Sequence, residues 1–176
     1  MIDEKVAIVG GTGQFGQHLG EALEEDNEIR ISGKDVEEAS KIAEKHGWSY
    51  GENKEIVKDA DVVIIAVPIA VTVEAIEKVG PHVPEDALLC DITSVKRKPV
   101  EAMKKYSDEV LGMHPMYAPS NSIEGQKIVL CPEKGKKWTL METFWMDNGA
   151  DIHVTNPESH DKAMSLVQGL MHFSEL

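Results

Sequence analysis

The sequence predicts an α/β fold in which a doubly wound, mostly parallel sheet carries helices on both faces. Apolar runs of strand length alternate with amphipathic stretches of helix length, which is the pattern of a parallel sheet covered by helices. The first apolar run leads directly into a glycine-rich turn, as in chains that begin with a βαβ unit. The 176 residues are enough for one such domain with a full core.

The predicted strands are short apolar runs bounded by turn residues or charges. They cover residues 5–9, 28–32, 61–67, 87–91, 110–114, 127–131 and 151–155. The run DVVIIAV is apolar after its first residue, which indicates a strand buried on both faces. Ser94 and His114 follow two consecutive strands, so both are expected at the sheet edge where α/β proteins bind ligands.

The predicted helices follow apolar residues at helical spacing. They cover residues 15–25, 36–46, 70–79, 99–106 and 138–148, with a helical turn at 55–58 and a last helix after residue 155. Gly47 is expected to close the second helix. Thr155 is expected to cap the last helix, with Glu158 reaching back to it. The broad apolar side of that helix is expected either to pack on its own sheet or to be a surface that packed against another part of the protein.

Composition narrows the classes of function. With 18 Lys and Arg against 31 Asp and Glu, the net charge is −13, which disfavours a nucleic-acid partner. Cys90 and Cys131 lie in apolar runs and are expected to be buried free thiols. No secretory signal opens the chain and no apolar run is long enough to cross a bilayer, so we expect a cytoplasmic protein without a membrane partner. The seven His are scattered, so no metal site is expected, and the basic run 96–98 is interpreted as a solvated loop or helix start.

The glycine turn predicts a Rossmann-type dinucleotide site. Gly11, Gly13 and Gly16 have the GxGxxG spacing between an apolar strand and an amphipathic helix. Such glycines permit a tight turn and a close approach to a pyrophosphate, which also meets the positive end of the helix. The expected cofactor-binding residues here are Gly11, Thr12, Gly13, Gln14, Phe15 and Gly16.

The end of the second strand bears on which dinucleotide binds. NAD sites usually place an Asp or Glu there for the ribose 2′-hydroxyl, but this chain has Ser32 and Gly33, followed by Lys34. Ser32 and Lys34 can bind a 2′-phosphate, so NADP is favoured over NAD. Asp35 comes later and is expected to cap the next helix. Val67 and Pro68 are expected to lie along the nicotinamide ribose.

Several spaced motifs together carry a family resemblance over residues 6–173. They are the glycine turn at 10–16, AVPI at 66–69, DITSVK at 91–96, GMHPM at 112–116, HD at 160–161 and VQGLMHF at 167–173. With them the chain resembles the nucleotide-binding domain of the prephenate and arogenate dehydrogenases of tyrosine biosynthesis. The combination of TSVK and HPM is much more specific than the glycine turn.

The resemblance implies an NAD(P)-dependent oxidative decarboxylation. Prephenate gives a hydride from ring C4 to the nicotinamide, loses its ring carboxylate as CO2 and becomes 4-hydroxyphenylpyruvate. His114 matches the family's catalytic His, and Ser94 matches a Ser that bonds this His or the substrate hydroxyl. A neutral imidazole suits the role, because it can accept the hydroxyl proton as the hydride leaves.

The resemblance also assigns residues near the end of the chain. His172 matches a second family His that contacts the substrate, and Gln168 lies one turn earlier on the same helix face, where some relatives carry Ser. His160, with Asp161, is expected to hold the helix end to the sheet, which is a structural role. The segment Tyr117-Ala118-Pro119 departs from the family's commoner Phe-Gly-Pro.

The family carries a second, all-helical domain that forms the dimer and supplies an Arg to the substrate carboxylate. This chain ends where that domain would begin. We therefore expect residues 1–156 to form the NAD(P)-binding domain and residues 157–176 a connecting helix that starts a truncated or missing domain. A homodimer through these parts is expected, and the isolated chain should bind cofactor better than it turns over substrate. The contacts that select prephenate or arogenate would come largely from the missing domain.

Two other hypotheses stay open. Another NADP-dependent oxidoreductase, of the β-hydroxyacid or deazaflavin type, would share the glycine turn but would not need Ser94 and His114 in their TSVK and HPM contexts. A nucleotide-sensing or interaction module lacking the second domain would keep the cofactor site without turnover.

Overall fold

The computed structural model describes residues 4–173 of the chain, with side chains described as far as residue 166. One eight-stranded sheet forms its centre, in the order β3-β2-β1-β4-β5-β6-β7-β8. The strands are β1 Lys5–Val9, β2 Glu28–Ser32, β3 Ser49–Tyr50, β4 Val62–Ile65, β5 Leu88–Asp91, β6 Glu109–Pro115, β7 Lys127–Lys134 and β8 Asp151–Val154. All neighbouring pairs are parallel except β6 with β7, which confirms the predicted fold class.

Helices cover both faces of the sheet. They are α1 Gln14–Leu23, α2 Val36–His46, α3 Asn53–Ile56, α4 Ile69–Val79, α5 Arg97–Met103, α6 Trp138–Asp147 and α7 Pro157–Phe173, with a 3₁₀ turn at Gly80–His82. One core lies between the sheet and α1, α2 and α6, and the other between the sheet and α3, α4 and α5. Along β1, Val6 and Ile8 enter the first core while Ala7 and Val9 enter the second, so both faces of the strand are apolar.

The strand order reverses between β1 and β4, because the chain fills one side of β1 first and then continues on the other. In open α/β sheets the crevice at such a switch point, outside the carboxyl ends of the strands, is where ligands bind. The glycine turn follows β1 and the AVPI motif follows β4, so both predicted cofactor elements lie at this crevice.

The ends of α2 and α7 can be compared with the predicted caps. Asp35 caps α2, and Gly47 closes that helix with a φ of 75°, as expected. The cap of α7 is different: Asn156, not Thr155, accepts the N–H of Ser159 at 2.9 Å, because the helix begins at Pro157. Strand β3 was not predicted, since only two residues of the chain pair with β2 there.

Two predictions from composition can be compared with this fold. Cys90 and Cys131 are free and buried, as expected, and burial raises the pKa of both thiols, that of Cys131 to about 12. Within residues 4–173, no helix combines the length and apolarity that crossing a bilayer requires.

Candidate active site

The glycine turn after β1 packs so closely that three of its glycines have no room for side chains. Gly10 adopts a φ of +84°, and a Cβ there would lie 2.6 Å from the carbonyl oxygen of Ala66, just after β4. A Cβ on Gly16 would lie 2.6 Å from the carbonyl oxygen of Gly10, and one on Gly11 would lie 2.6 Å from Ile31. The GxGxxG spacing does not include Gly10, although its positive φ makes the turn possible.

The N terminus of α1 is open for an anion. Gly13 occupies the N-cap position, and no side chain caps the first turn, so its N–H groups stay available. The Thr12 carbonyl oxygen accepts a hydrogen bond from the Gln17 side chain at 2.8 Å, which holds the turn. Gln14 is exposed beside the turn, while the ring of Phe15 packs away on the next helical face. The uncapped helix and the tight glycine cradle fit a dinucleotide pyrophosphate.

The segment at the end of β2 carries a hydroxyl, a cation and a carboxylate, those of Ser32, Lys34 and Asp35. Ser32 is buried, and its Oγ has no hydrogen-bond partner among the described residues. Lys34 is exposed and makes no ion pair within the described part of the chain. The Asp35 carboxylate is already committed, because it accepts two N–H groups of the first turn of α2 at 2.8 and 3.2 Å.

The residues after β4 close the crevice on its other side. Val67 is half-buried against the glycine turn, where its Cγ1 would lie 2.8 Å from a Cβ on Gly10. Pro68 is exposed at the N-cap of α4, and the Thr72 hydroxyl donates to its carbonyl oxygen at 3.1 Å. The structure therefore brings Val67 to the glycine turn, while the positions of Val67 and Pro68 along the nicotinamide ribose stay predictions.

A buried ion pair lies beneath the ends of β5 and β6. Asp91 and Lys96 are both fully buried, and Lys96 Nζ donates to Asp91 Oδ2 at 2.6 Å and to the Met113 carbonyl oxygen at 2.5 Å. Burial lowers the pKa of Lys96, and the Asp91 carboxylate opposes that shift. The interpretation of Lys96 as part of a solvated basic run is wrong, whereas Arg97 and Lys98 are exposed as expected.

The structure shows no hydrogen bond between Ser94 and His114. The residue is exposed after β5, and none of the hydrogen bonds among the described residues involves its Oγ. Of the two contacts that the resemblance implies for Ser94, the bond to His114 is therefore absent in this structure, and the contact with the substrate hydroxyl stays a prediction. The Ser94 hydroxyl remains free for a ligand.

His114 instead contacts the start of α7. Its Nδ1 lies 2.9 Å from His160 Nε2, and His160 Nδ1 lies 2.8 Å from Asp161 Oδ1. Asp161 also accepts the backbone N–H of Lys96 at 2.7 Å and of Arg97 at 3.0 Å. His160, predicted as a structural residue only, is thus a direct partner of the predicted catalytic residue.

The electrostatic surroundings keep His114 neutral. Burial is the main cause that lowers its pKa to about 4, and His160 and Lys96 act in the same direction. Asp161 opposes this shift without reversing it. At neutral pH the imidazole therefore has a free lone pair, as a proton acceptor needs.

The loop after β6 is attached to α1 through aromatic contacts. Tyr117 Oη lies 3.0 Å from His18 Nε2, and the Tyr117 ring packs edge-on against Phe15 with centroids 5.4 Å apart. Burial raises the pKa of Tyr117 to about 12 and lowers that of His18. The Tyr that departs from the family's commoner Phe supplies the hydroxyl of this contact.

Not every predicted residue can be placed. Gln168 and His172 lie on α7, but their side chains are outside the described residues. Their predicted substrate contacts stay predictions.

The described site residues form one line along a single sheet edge. Ser32 and His114 lie at the ends of β2 and β6, and the glycine turn, Val67 and Ser94 follow β1, β4 and β5. In the sheet these strands are successive neighbours in the order β2-β1-β4-β5-β6. Four strand spacings separate the outer two ends, a span of roughly 19 Å. Such a length suits an extended ligand, with its phosphates at the glycine turn and its reacting end near His114.

This arrangement defines the class of the protein: a Rossmann-type dinucleotide-binding domain with a neutral imidazole at one end of the ligand crevice. The chain belongs to the prephenate dehydrogenase family, whose nucleotide-binding domain matches residues 19–154. The matched range includes Ser94 and His114 and leaves out the glycine turn and His160.

Individual relatives extend the match over almost the whole chain. It is 37% identical to a probable arogenate/prephenate dehydrogenase of Methanocaldococcus jannaschii, over 96% of this chain and 40% of the relative. It is 38% identical to the T-protein of Haemophilus influenzae, over 97% of this chain and 43% of the relative. The chain thus spans less than half the length of these curated relatives.

Solved structures share the fold. Prephenate dehydrogenase of Aquifex aeolicus, in complex with hydroxyphenyl propionate and NAD+, matches with a TM-score of 0.78 at 26% identity, covering 98% of this chain and 71% of that one. Arogenate dehydrogenase of Synechocystis has a TM-score of 0.82 at 19% identity, over 92% of this chain and 63% of that one.

Proposed function

We propose that this chain carries the cofactor site and the proton acceptor of a prephenate dehydrogenase, which converts prephenate to 4-hydroxyphenylpyruvate and CO2. The single observation that carries the proposal is the neutral His114 at the far end of a crevice that starts at an open glycine turn. Membership of the family supports the same reaction class. An arogenate-specific enzyme is the alternative, because arogenate presents the same ring carbinol.

His114 would act on the proton of the ring hydroxyl. A bound nicotinamide would supply the hydride acceptor for the hydrogen on ring C4. As that hydride leaves, His114 accepts the proton from the C4 hydroxyl, which stabilises the developing carbonyl. Loss of the ring carboxylate as CO2 then gives a phenolate, which takes the proton back from His114. The exposed Ser94 hydroxyl is free to orient the substrate hydroxyl, and Gln168 and His172 would contact the substrate from α7.

The proposal is tested by product formation. The chain alone, and the chain joined to the remaining part of the Methanocaldococcus relative, are given prephenate or arogenate with each dinucleotide. We expect reduced dinucleotide and 4-hydroxyphenylpyruvate in equal amounts from prephenate, with the joined form more active. A protein that binds dinucleotide but makes no product from either substrate in either form would contradict the proposal and favour a nucleotide-sensing module.

NADP is the proposed cofactor. The buried Ser32 Oγ lacks a partner, Lys34 is an exposed cation without an ion pair among the described residues, and the Asp35 carboxylate is committed to α2. A 2′-phosphate would accept a hydrogen bond from the exposed Lys34, whereas the Asp35 carboxylate is not free to bind a 2′-hydroxyl. The NAD+ in the Aquifex complex makes NAD the alternative to be tested.

Reversing the charge at Lys34 is expected to separate the two dinucleotides. Lys34→Glu should weaken NADP+ binding by roughly 10–100-fold, the loss of one charge-assisted hydrogen bond, and leave NAD+ binding within about twofold. Titration calorimetry with both dinucleotides measures this. Lys41→Glu, an exposed charge reversal on α2, is the matched control. Equal losses for NADP+ and NAD+, or none, would contradict the assignment of Lys34.

The cellular location of the protein and its assembly are also proposals. Both cysteines are free and buried, which is consistent with a reducing compartment such as the cytoplasm. Residues 1–156 would serve as the NAD(P)-binding domain and 157–176 as a connecting helix to the part that joins two subunits of a homodimer.

A further inference from the structure

We propose that His160 and Asp161 are positioning residues that fix the tautomer of His114, with its proton on Nδ1 and its lone pair on Nε2. The inference deepens the proposed function, since it rests on His114 being the proton acceptor. It gives a chemical purpose to a contact between the end of β6 and the start of α7, two elements far apart in the sequence.

The direction of the hydrogen bonds is set at Asp161. A backbone N–H can only donate, so the N–H groups of Lys96 and Arg97 require acceptors at Asp161 Oδ1 and Oδ2. These two bonds and the one from His160 lower the pKa of Asp161 against the opposing effect of burial. An ionised carboxylate has no proton to give, and His160 Nδ1 must therefore be the donor in their 2.8 Å contact.

The direction of the bond between His160 and His114 follows from the same reasoning. In its neutral form the His160 imidazole has one N–H, which it donates to Asp161, so its Nε2 is then an acceptor. His114 Nδ1, at 2.9 Å, must then donate its proton to His160 Nε2. The lone pair of His114 lies on Nε2, which has no partner among the described residues and is not one of their buried unpaired atoms. The reverse tautomers would set a lone pair of His160 against the Asp161 carboxylate.

Burial makes this arrangement rigid. The His160 side chain is only 1% exposed, so water does not compete for its two nitrogens. Asp161 ties His160 to the start of α5, and Lys96, whose backbone N–H it accepts, reaches the Met113 carbonyl next to His114. Besides burial, the groups that act on the pKa of His114 are His160 and Lys96, which lower it, and Asp161, which raises it.

The tautomer can be measured without turnover. Long-range ¹H–¹⁵N correlation spectra of protein with ¹⁵N-labelled histidine, at about pH 8 where imidazoles are neutral, show which nitrogen carries the proton. The His114→Asn spectrum identifies the His114 signals. We expect wild-type His114 to be protonated on Nδ1, and His160→Gln, whose amide oxygen can accept at the place of Nε2, to keep that state. His160→Leu, which offers no acceptor, should shift His114 towards the Nε2–H form.

Kinetics then tests the purpose of the tautomer in the form that turns over prephenate. His160→Leu should lower kcat by roughly 10²-fold with an unchanged dinucleotide Kd, and His160→Gln should restore it to within about threefold of wild type. The inference is overturned if the wild type turns over prephenate with His114 protonated on Nε2. It is also overturned if the Leu variant has a normal kcat. Neither result contradicts the proposed function. If the Leu variant does not fold, the wild-type tautomer and the Gln variant decide. A wild type without turnover overturns the proposed function, and this catalytic purpose with it.

Discussion

Replacing His114 with Asn is expected to lower kcat by about 10²–10⁴-fold, the usual worth of a positioned general base. The Asn amide has a nitrogen close to the place of the imidazole Nδ1, so it can still donate to His160 Nε2. What the variant lacks is the lone pair of Nε2. Because His114 is at the end of β6 and the glycine turn follows β1, dinucleotide affinity should stay within about twofold of wild type.

Steady-state kinetics with prephenate, and calorimetry with NADP+, measure the two quantities on the same preparation. A large loss of dinucleotide affinity would mean that His114 supports the fold or the cofactor rather than the proton transfer. A variant with near-normal kcat would remove His114 from the mechanism altogether.

The acid side of the pH profile gives an independent check on this residue. The pKa of His114 is lowered to about 4, so the base is deprotonated above that pH and becomes protonated, and inactive, as the pH falls through it. Wild-type kcat/KM should therefore stay level from about pH 8 down to about pH 5 and then fall. The residual activity of the Asn variant should lack this acid limb. An acid limb centred at the ordinary imidazole pKa of about 6.5 would contradict the buried, neutral state of His114.

Local pattern was sufficient to predict most of the fold, including the glycine turn. The glycine turn, the cap at Asp35 and the buried strand β4 each depend on a few neighbouring residues, whose sterics and apolar spacing act in any context. The parallel order of the sheet then brings the strand ends to one edge. Ser94 and His114 could be placed there because only their position after a strand was needed.

The polar network beneath the reacting end could not be predicted in the same way. His160 is 46 residues from His114, and no spacing rule connects the end of a strand with the start of a distant helix. Lys96 is the first cation of a basic run that is otherwise exposed, so its sequence neighbours suggest a solvated side chain. It is buried because Asp91 provides a partner and because Gly112 leaves room, where a Cβ would lie 2.9 Å from Lys96 Cδ.

Removing the charge of Lys96 is expected to have the largest effect on stability. Lys96→Met keeps the length and apolar stem of the side chain but leaves the Asp91 carboxylate buried without its cation. Breaking a buried pair on one side typically costs about 3–5 kcal/mol of the free energy of unfolding. Asp91 would keep only the N–H and hydroxyl of Thr93, and its Oδ1 already has no partner among the described residues.

Urea denaturation of two companion variants separates the charge from the packing. Lys98→Met changes an exposed lysine two residues away and should alter the free energy of unfolding by less than about 0.5 kcal/mol. The double variant Lys96→Met with Asp91→Leu removes both charges and should recover most of the loss, because no unpaired charge is then left in the core. If the double variant were as unstable as Lys96→Met alone, the loss would come from packing or from the lost bond to the Met113 carbonyl. A large effect in Lys98→Met would show that the stability of α5, rather than the ion pair, is being measured.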